Sequence, residues 1–149
     1  MIIHCDGAAR GNPGPAGLGV HIADEHGRTV HEIGRGIGIA TNNVAEYSAL
    51  VAGLEWCSQN GVKELLVRSD SDLLIKQMNG QYRVKNATLQ KLHKKARDLA
   101  KNFEVISYEH VRREYNKDAD RLANVGVDEW LANEGRGHTP RGPDPVLFD

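Results

Sequence analysis

This 149-residue chain has little cysteine, no long apolar run and no marked excess of one charge sign. Its two cysteines, Cys5 and Cys57, are far apart in no metal-type spacing, which disfavours a disulfide scaffold or a zinc site and favours buried thiols in a reducing compartment. No apolar run approaches the roughly 20 residues of a membrane helix, and the start MIIHCDG lacks a signal-peptide pattern. We therefore expect a cytoplasmic protein with no membrane partner.

Neither charge sign dominates, because 19 Lys and Arg residues stand against 20 Asp and Glu residues. The net charge of −1 disfavours a nonspecific polycation but leaves a nucleic-acid partner open, since local charge matters more than the sum. Residues 83–101 hold seven Lys or Arg residues and one acid, Asp98. This basic segment is either a solvated helix face or a contact surface for a polyanion.

Length and composition favour one globular domain. A chain of this size buries a hydrophobic core without needing disulfide bonds or a structural metal, and its 40% apolar and 26% charged residues are typical of globular proteins. We predict that the domain covers residues 1–132. The tail, residues 133–149, is rich in Gly and Pro and lacks periodicity, although its apolar VLF could pack on a sheet edge.

Apolar periodicity changes along the chain and predicts the order of its elements. Five short runs are typical of strands: MIIHC, LGVHIA, TVHEIGRGIGIA, KELLVRSD and FEVISYEHV. Four segments have helical spacing: NNVAEYSALVAGLEWCSQNG, SDLLIKQMNG, NATLQKLHKKARDLAK and NKDADRLANVGVDEW. The order β-β-β-α-β-α-α-β-α predicts an α/β fold in which helices flank one mixed sheet.

Four acidic residues stand at the predicted ends of elements. Asp6 ends the first strand, Glu46 lies near the start of the long helix, Asp70 ends the fourth strand and Asp120 begins the last helix. Each has a structural explanation by itself. Glu46 could form a capping box with Asn43, helix dipoles favour acids at helix starts, and Asp6 could cap the hairpin loop.

Taken together, the four acids indicate a metal site. Ligands gather at the carboxyl ends of parallel strands, where Asp6 and Asp70 lie if the first and fourth strands are parallel neighbours. Glu46 could reach the same rim from its helix. Four carboxylates so close would raise each other's pKa unless a cation neutralised them, and Mg²⁺ accepts a few carboxylates together with water. A donor set made of oxygen alone argues against zinc.

Four motifs in order, DGAARGNPGPAG, TNNVAEYSAL, SDSDLLIKQMNG and REYNKDADRLAN, together resemble the type 1 ribonuclease H family over residues 2–127. The resemblance implies a ribonuclease H-like five-stranded mixed β-sheet flanked by helices, with residues 1–132 as the catalytic domain. It also implies an endonuclease that hydrolyses the RNA strand of RNA–DNA hybrids with two Mg²⁺ ions, or Mn²⁺, and leaves 5′-phosphate and 3′-hydroxyl ends. The implied catalytic and metal-binding residues are Asp6, Glu46, Asp70 and Asp120.

The resemblance further implies contacts with the hybrid. Asn12, Asn42 and Asn43 would line the minor groove, where 2′-hydroxyls distinguish RNA from DNA. Thr41 and Asn86 would hold a phosphate of the DNA strand. The alternative for these residues is a helix cap or a turn. The Gly and Ala residues that follow Asp6 would let the backbone approach the nucleic acid.

The sequence departs from the family pattern in two places. Many members carry a basic insertion after the second short helix, but here MNGQYRVKNATL passes directly into the next helix, so the basic segment could substitute only in part. Many also carry a Gly-His loop before the last Asp. Here His110 is expected in the fifth strand, and Arg113 is expected to contact a phosphate or the leaving group. Because Arg cannot act as a base, the pH–rate profile should lack a histidine limb.

Two other functions remain open at this stage. The chain could be a hybrid-binding module without catalysis, or another polynucleotidyl transferase on the same fold, because fold alone does not decide function. The presence of all four acids favours the endonuclease. We expect it to act as a monomer on an RNA–DNA hybrid duplex.

Overall fold

The computed structural model describes residues 1–135. Within this range the chain forms five strands and four helices in the predicted order, with one turn of 3₁₀ helix, Arg113–Tyr115, before the last helix. The elements are β1 (Ile2–Ala9), β2 (Gly14–Ala23), β3 (Thr29–Ala40), α1 (Asn42–Gln59), β4 (Glu64–Ser69), α2 (Asp72–Met78), α3 (Ala87–Ala100), β5 (Val105–His110) and α4 (Lys117–Gly135).

The strands form one mixed sheet in the order β3-β2-β1-β4-β5. Strand β1 pairs antiparallel with β2, and β2 pairs antiparallel with β3. Strand β4 lies between β1 and β5 and is parallel to both. The predicted α/β class is therefore confirmed, and the first and fourth strands meet the condition under which Asp6 and Asp70 share one rim, because they are parallel neighbours.

Helix α1 forms the centre of the hydrophobic core. It begins at an N-cap, Thr41, whose side-chain oxygen accepts a hydrogen bond from the amide of Val44. The helix packs between β1 on one side and α3 on the other. Its apolar residues are therefore buried around most of its circumference, as Leu50 and Leu54 show with no exposed surface. Burying each such leucine stabilises the fold by about 2 kcal/mol.

Helix α4 packs against β1, β2 and β3. The contact is close because glycine in β2 leaves room for the helix backbone. A Cβ atom on Gly19 would overlap the carbonyl oxygen of Ala119, a residue of the first turn of α4. This approach sets the distance between the sheet and the helix that carries Asp120.

We expect Gly19→Ala to lower the free energy of unfolding by about 2 kcal/mol, because α4 must shift away from β2 to admit a methyl group. Urea denaturation followed by circular dichroism measures the change. Glu129→Ala, on the exposed side of α4, is the control and should change stability by less than about 0.5 kcal/mol. Equal stability of Gly19→Ala and wild type would contradict this packing.

The last helix extends a little beyond the expected end of the domain at residue 132. Helix α4 continues to Gly135, so residues 133–135 of the expected tail are helical. The remainder, including the VLF segment expected to pack on the sheet, lies outside the described residues, and the division at residue 132 stays a prediction. Across residues 1–135, no helix has both the length and the apolar character needed to span a membrane.

Candidate active site

Two of the four acids stand where strands β1 and β4 separate. The parallel pairing of these strands ends at Cys5 and Ser69, and Asp6 and Asp70 are the next residue of each chain segment. The expectation that Asp6 ends the first strand was wrong, because β1 keeps pairing with β2 as far as Ala9. Asp6 nevertheless lies at the rim, because the rim is the point where β4 leaves β1.

Helix α1 brings Glu46 to the same rim. A Cβ atom on Gly7 would overlap the backbone nitrogen of Glu46, so the helix backbone rests directly on β1 beside Asp6. This contact corrects the expectation for the glycine after Asp6, since at Gly7 the space is taken by α1 and not by nucleic acid. Glu46 does not form the capping box considered for it. Its Oε1 accepts a hydrogen bond of 3.0 Å from Asn42 Nδ2.

The fourth acid, Asp120, lies in the first turn of α4. Its backbone amide donates to the carbonyl of Asn116. One turn further along the helix, Asn124 Nδ2 donates to the Asp120 carbonyl oxygen at 3.0 Å and lies 3.4 Å from its Oδ1. The four carboxylates line one cleft of about 540 Å³, together with residues 7–9, Arg10, Asn42, Arg113 and Asn124.

The carboxylates in this cleft disfavour one another's charge. Burial raises the pKa of Asp6, and together with the neighbouring carboxyls of Asp70, Asp120 and Glu46 it brings that pKa to about 8. Burial also raises the pKa of Glu46, and the charge of Asp70 adds to the effect, although hydrogen bonds from Ser71 and Asn42 oppose it. A bound cation would relieve this repulsion.

The donor set fits a hard divalent cation. All four side chains offer carboxylate oxygens, which Mg²⁺ prefers. Within residues 1–135, no three His, Cys, Asp or Glu side chains are already gathered into a metal cluster. Mg²⁺ does not need such a closed cage, because it keeps several of its waters and uses only one or two carboxylates. The raised pKa of Asp6 is the observation that favours a cation here.

Asn116 is a buried residue that supports the cleft, and it was not identified from the sequence. Its side chain is 1% exposed, and its Nδ2 donates to the Cys5 carbonyl at 2.9 Å and to Asp70 Oδ1 at 3.2 Å. It therefore connects β1, β4 and the start of α4. No sequence signal identifies this role, because an Asn before a helix is usually a cap.

Two of the predicted phosphate-binding residues are helix caps in the structure. Thr41 caps α1, and Asn86 caps α3 by accepting a hydrogen bond of 3.1 Å from the amide of Leu89. This is the structural alternative that the sequence left open. Capping uses one acceptor of each side chain, so a phosphate contact by Thr41 or Asn86 stays a prediction.

The three asparagines predicted at the minor groove differ in their surroundings. Asn12 Oδ1 accepts a hydrogen bond of 3.0 Å from the backbone amide of Asn42, which ties the loop after β1 to the start of α1. Asn42 lines the cleft, and its side chain holds Glu46. Asn43 is exposed at the start of α1. Neither Asn42 nor Asn43 is the N-cap, because Thr41 has that position.

Arg113 and His110 belong to different elements, the 3₁₀ turn and strand β5. Arg113 begins the 3₁₀ turn and lines the cleft with the carboxylates. His110 is the last residue of β5, as expected, and its Nε2 lies 3.3 Å from the backbone carbonyl oxygen of Asp70. The side chain that faces the acids from this part of the chain is therefore an arginine.

The basic segment borders a groove at the other end of α2. Residues 79–86 connect α2 directly to α3, which agrees with the absence of a basic insertion. Arg83, Lys85, Lys94 and Arg97 line this groove together with Tyr82 and His93. Contact of these cations with a polyanion stays a prediction, and a solvated helix face stays the alternative.

Comparison with known proteins identifies the family. A family model described as reverse transcriptase-like matches residues 4–126. The bifunctional protein Rv2228c of Mycobacterium tuberculosis is 46% identical over 129 residues, which cover 86% of this chain and 35% of that protein. The ribonuclease HI of Halobacterium salinarum is 43% identical over 124 residues, which cover 83% of this chain and 62% of that protein. The chain thus spans about a third of the first of these relatives.

Two solved structures match this chain over almost their whole length. The N-terminal ribonuclease H domain of Rv2228c superposes with a TM-score of 0.83 at 45% identity and covers 85% of this chain and 98% of its own. The compost-derived LC11-RNase H1, solved in complex with an RNA/DNA hybrid, has a TM-score of 0.83 at 44% identity and covers 87% and 98%. With this fold, these four motifs and these relatives, the chain belongs to the ribonuclease H family.

Proposed function

We propose that the chain is an endonuclease that hydrolyses the RNA strand of RNA–DNA hybrids. The observation that carries the proposal is the cleft in which Asp6, Glu46, Asp70 and Asp120 meet and in which the pKa of Asp6 is raised to about 8. A similar protein, LC11-RNase H1, binds an RNA/DNA hybrid in its crystal structure. The four carboxylates would be the catalytic residues and would hold two Mg²⁺ or Mn²⁺ ions.

Each carboxylate has a distinct supporting contact, which suits a division of roles. Asp6, whose pKa the other three carboxyls raise, would contribute to both ion positions, while Asp70 and Glu46 would complete one and Asp120 the other. When bound, the two ions supply a polarised water and charge stabilisation at the scissile phosphate. In-line hydrolysis would leave a 5′-phosphate and a 3′-hydroxyl.

The chain's own polar residues would hold these acids in position. Asn116 orients Asp70 and Asn42 orients Glu46 through the hydrogen bonds described above, and Asn124 Nδ2 makes a longer contact of 3.4 Å with Asp120 Oδ1. Neutral amide donors stabilise the charged carboxylates without competing as cations for the metal positions. The acids would thus be arranged before the cation and the substrate arrive.

The residues at the mouth of the cleft would contact the hybrid. Asn12, Asn42 and Asn43 lie where the loop after β1 meets the start of α1, and their amides would read 2′-hydroxyls. Thr41 and Asn86 would hold a phosphate of the DNA strand. Arg113 would contact a phosphate or the leaving group of the RNA strand.

Three further features belong to the proposal. The partner is an RNA–DNA hybrid duplex, the acting species is a monomer, and the compartment is the cytoplasm. Both cysteines are buried free thiols, which is compatible with a reducing compartment. Size-exclusion chromatography with light scattering tests the monomer.

The experiment that tests the function is a cleavage assay on a hybrid labelled in either strand. We expect cuts in the RNA strand with Mg²⁺ or Mn²⁺, no cuts with chelator, and no cuts in the DNA strand. Tight hybrid binding without cleavage would instead identify a binding module. Cleavage of duplex DNA would identify another polynucleotidyl transferase.

We expect the pH–rate profile of His110→Ala to coincide with that of wild type between about pH 5 and 8, the range in which a catalytic histidine would titrate. The reason is that Arg113 lines the cleft, while His110 contacts the Asp70 backbone. Arg113→Ala should lower kcat/KM about tenfold, the value of one charge-assisted hydrogen bond. Loss of a titration limb in His110→Ala would assign the proton transfer to His110.

A further inference from the structure

Arg10 is a cation of the cleft that no motif identified. It directly follows β1, and its backbone amide donates to the Pro15 carbonyl at 2.8 Å, which fixes the start of the hairpin loop. Because side chains alternate along a strand, Arg10 projects from the same face of the chain as Asp6, four residues earlier. Its side chain lines the cleft that holds the four carboxylates.

The guanidinium of Arg10 is oriented by α4. Its Nη1 lies 2.7 Å from Asp128 Oδ1, and its Nη2 donates to Asn124 Oδ1 at 3.2 Å. Asn124 Nδ2 in turn donates to the backbone carbonyl of Asp120 at 3.0 Å and lies 3.4 Å from Asp120 Oδ1, so Arg10 is connected to the turn of α4 that carries this acid. The Arg10 side chain is nevertheless 41% exposed. These two contacts use two of its five N–H donors, which leaves others for a ligand.

The cations that line this cleft flank the acids. Among the described lining residues these cations are Arg10 and Arg113. Arg113 precedes α4, whereas the residues that hold Arg10 lie one and two turns beyond Asp120, about 6 and 12 Å along the helix axis. The two charges are therefore on opposite sides of Asp120 along this helix.

A polyanionic strand that lies along α4 in this cleft needs fixed positive charge beside it. Cations held by the carboxylates would neutralise the phosphate being cut, but its neighbours on the strand would still face an acidic cleft. Arg suits a phosphate because its planar fork donates two parallel hydrogen bonds. A guanidinium that is already oriented also loses less side-chain entropy on binding than a free one.

We infer that Arg10 binds a backbone phosphate next to the scissile phosphate on the strand that is cut. Asn124 and Asp128 hold its guanidinium in place. The inference rests on the proposed function. It makes Arg10 a substrate-binding residue and places the bound strand along α4, from the 3₁₀ turn towards Asp128.

The test measures KM and kcat for hybrid cleavage as a function of salt concentration. We expect Arg10→Ala to raise KM about tenfold, as for one charge-assisted hydrogen bond, with little change in kcat. We also expect the slope of log KM against log salt to fall by roughly one, the value for one lost phosphate contact. Arg28→Ala is the matched control, because Arg28 is also an exposed arginine paired with an aspartate, Asp24, but belongs to the β2–β3 hairpin.

Asp128→Asn separates a phosphate contact from a structural ion pair. Asparagine keeps a hydrogen-bond acceptor for Arg10 and removes a negative charge, so KM should stay equal or fall if Arg10 binds a phosphate. If the pair only holds α4 to β1, Asp128→Asn should lower the melting temperature as much as Arg10→Ala, and neither variant should change KM. That result, or an unchanged salt slope in Arg10→Ala, would overturn the inference. Absence of cleavage by wild type would instead overturn the proposed function.

Discussion

Asp70→Asn is expected to abolish cleavage of the hybrid, with a loss in kcat on the order of 10³-fold or more, while the fold is kept. Asparagine has the size of aspartate and keeps the oxygen that accepts from Asn116 Nδ2 at 3.2 Å. It lacks the negative charge that would hold a divalent cation. The loss should therefore appear in kcat at saturating hybrid and Mg²⁺.

Asp72→Asn is the matched control for this substitution. Asp72 is an acid two residues further on, its side chain is half exposed, and it pairs with Lys76 at 2.9 Å within α2. Its removal should change kcat less than twofold on this account, since exposed pairs contribute less than about 1 kcal/mol. Hybrid binding by Asp70→Asn, measured by fluorescence anisotropy, should persist. Cleavage by Asp70→Asn at the wild-type rate would remove Asp70 from the proposed site.

Asp6→Asn is expected to stabilise the metal-free protein near neutral pH, by up to about 4 kcal/mol. Burial, together with the Asp70, Asp120 and Glu46 carboxyls, raises the pKa of Asp6 from 3.8 to about 8. An acid with a raised pKa contributes its full stability below its unfolded value, and loses it as the pH rises through the folded value. Wild-type stability in chelator should therefore fall between about pH 4 and 8.

Asparagine removes this pH dependence, because it resembles the protonated acid and its Oδ1 still accepts from the Gly7 amide. Urea denaturation in chelator at several pH values measures the effect. Asp24→Asn is the control of opposite sign. The pKa of Asp24 is lowered by hydrogen bonds from the Arg28 and His26 amides, so its substitution should not stabilise the protein. Equal pH dependence of stability in Asp6→Asn and wild type would show that the pKa of Asp6 is not raised in the folded protein.

These two results together describe a conflict between stability and activity in the cleft. The same acids that repel one another in the free protein would hold the cations needed for hydrolysis. Mg²⁺ should therefore stabilise wild type more than Asp6→Asn, because it relieves the repulsion that the substitution already removes. Melting temperatures with and without Mg²⁺ measure this difference.

The order of the elements was predictable because its signals are local. Helical periodicity identifies α1 and α3, alternation and β-branched residues identify β1 and β4, and the Gly-spaced end of β3 was correctly predicted as strand. These predictions needed no contact between distant residues.

The sequence by itself determined the family and the fold, and it identified the four acids as candidates for one site, because four ordered motifs and local periodicity are written directly in it. Only the tertiary structure decided that β1 passes beyond Asp6, that Gly7 makes room for α1, that Asn116 supports Asp70, and that Arg10 is held by α4. The physical reason is that each of these depends on where one element lies against another. Packing distances and hydrogen bonds between residues as far apart as Cys5 and Asn116 leave no periodic trace in the chain.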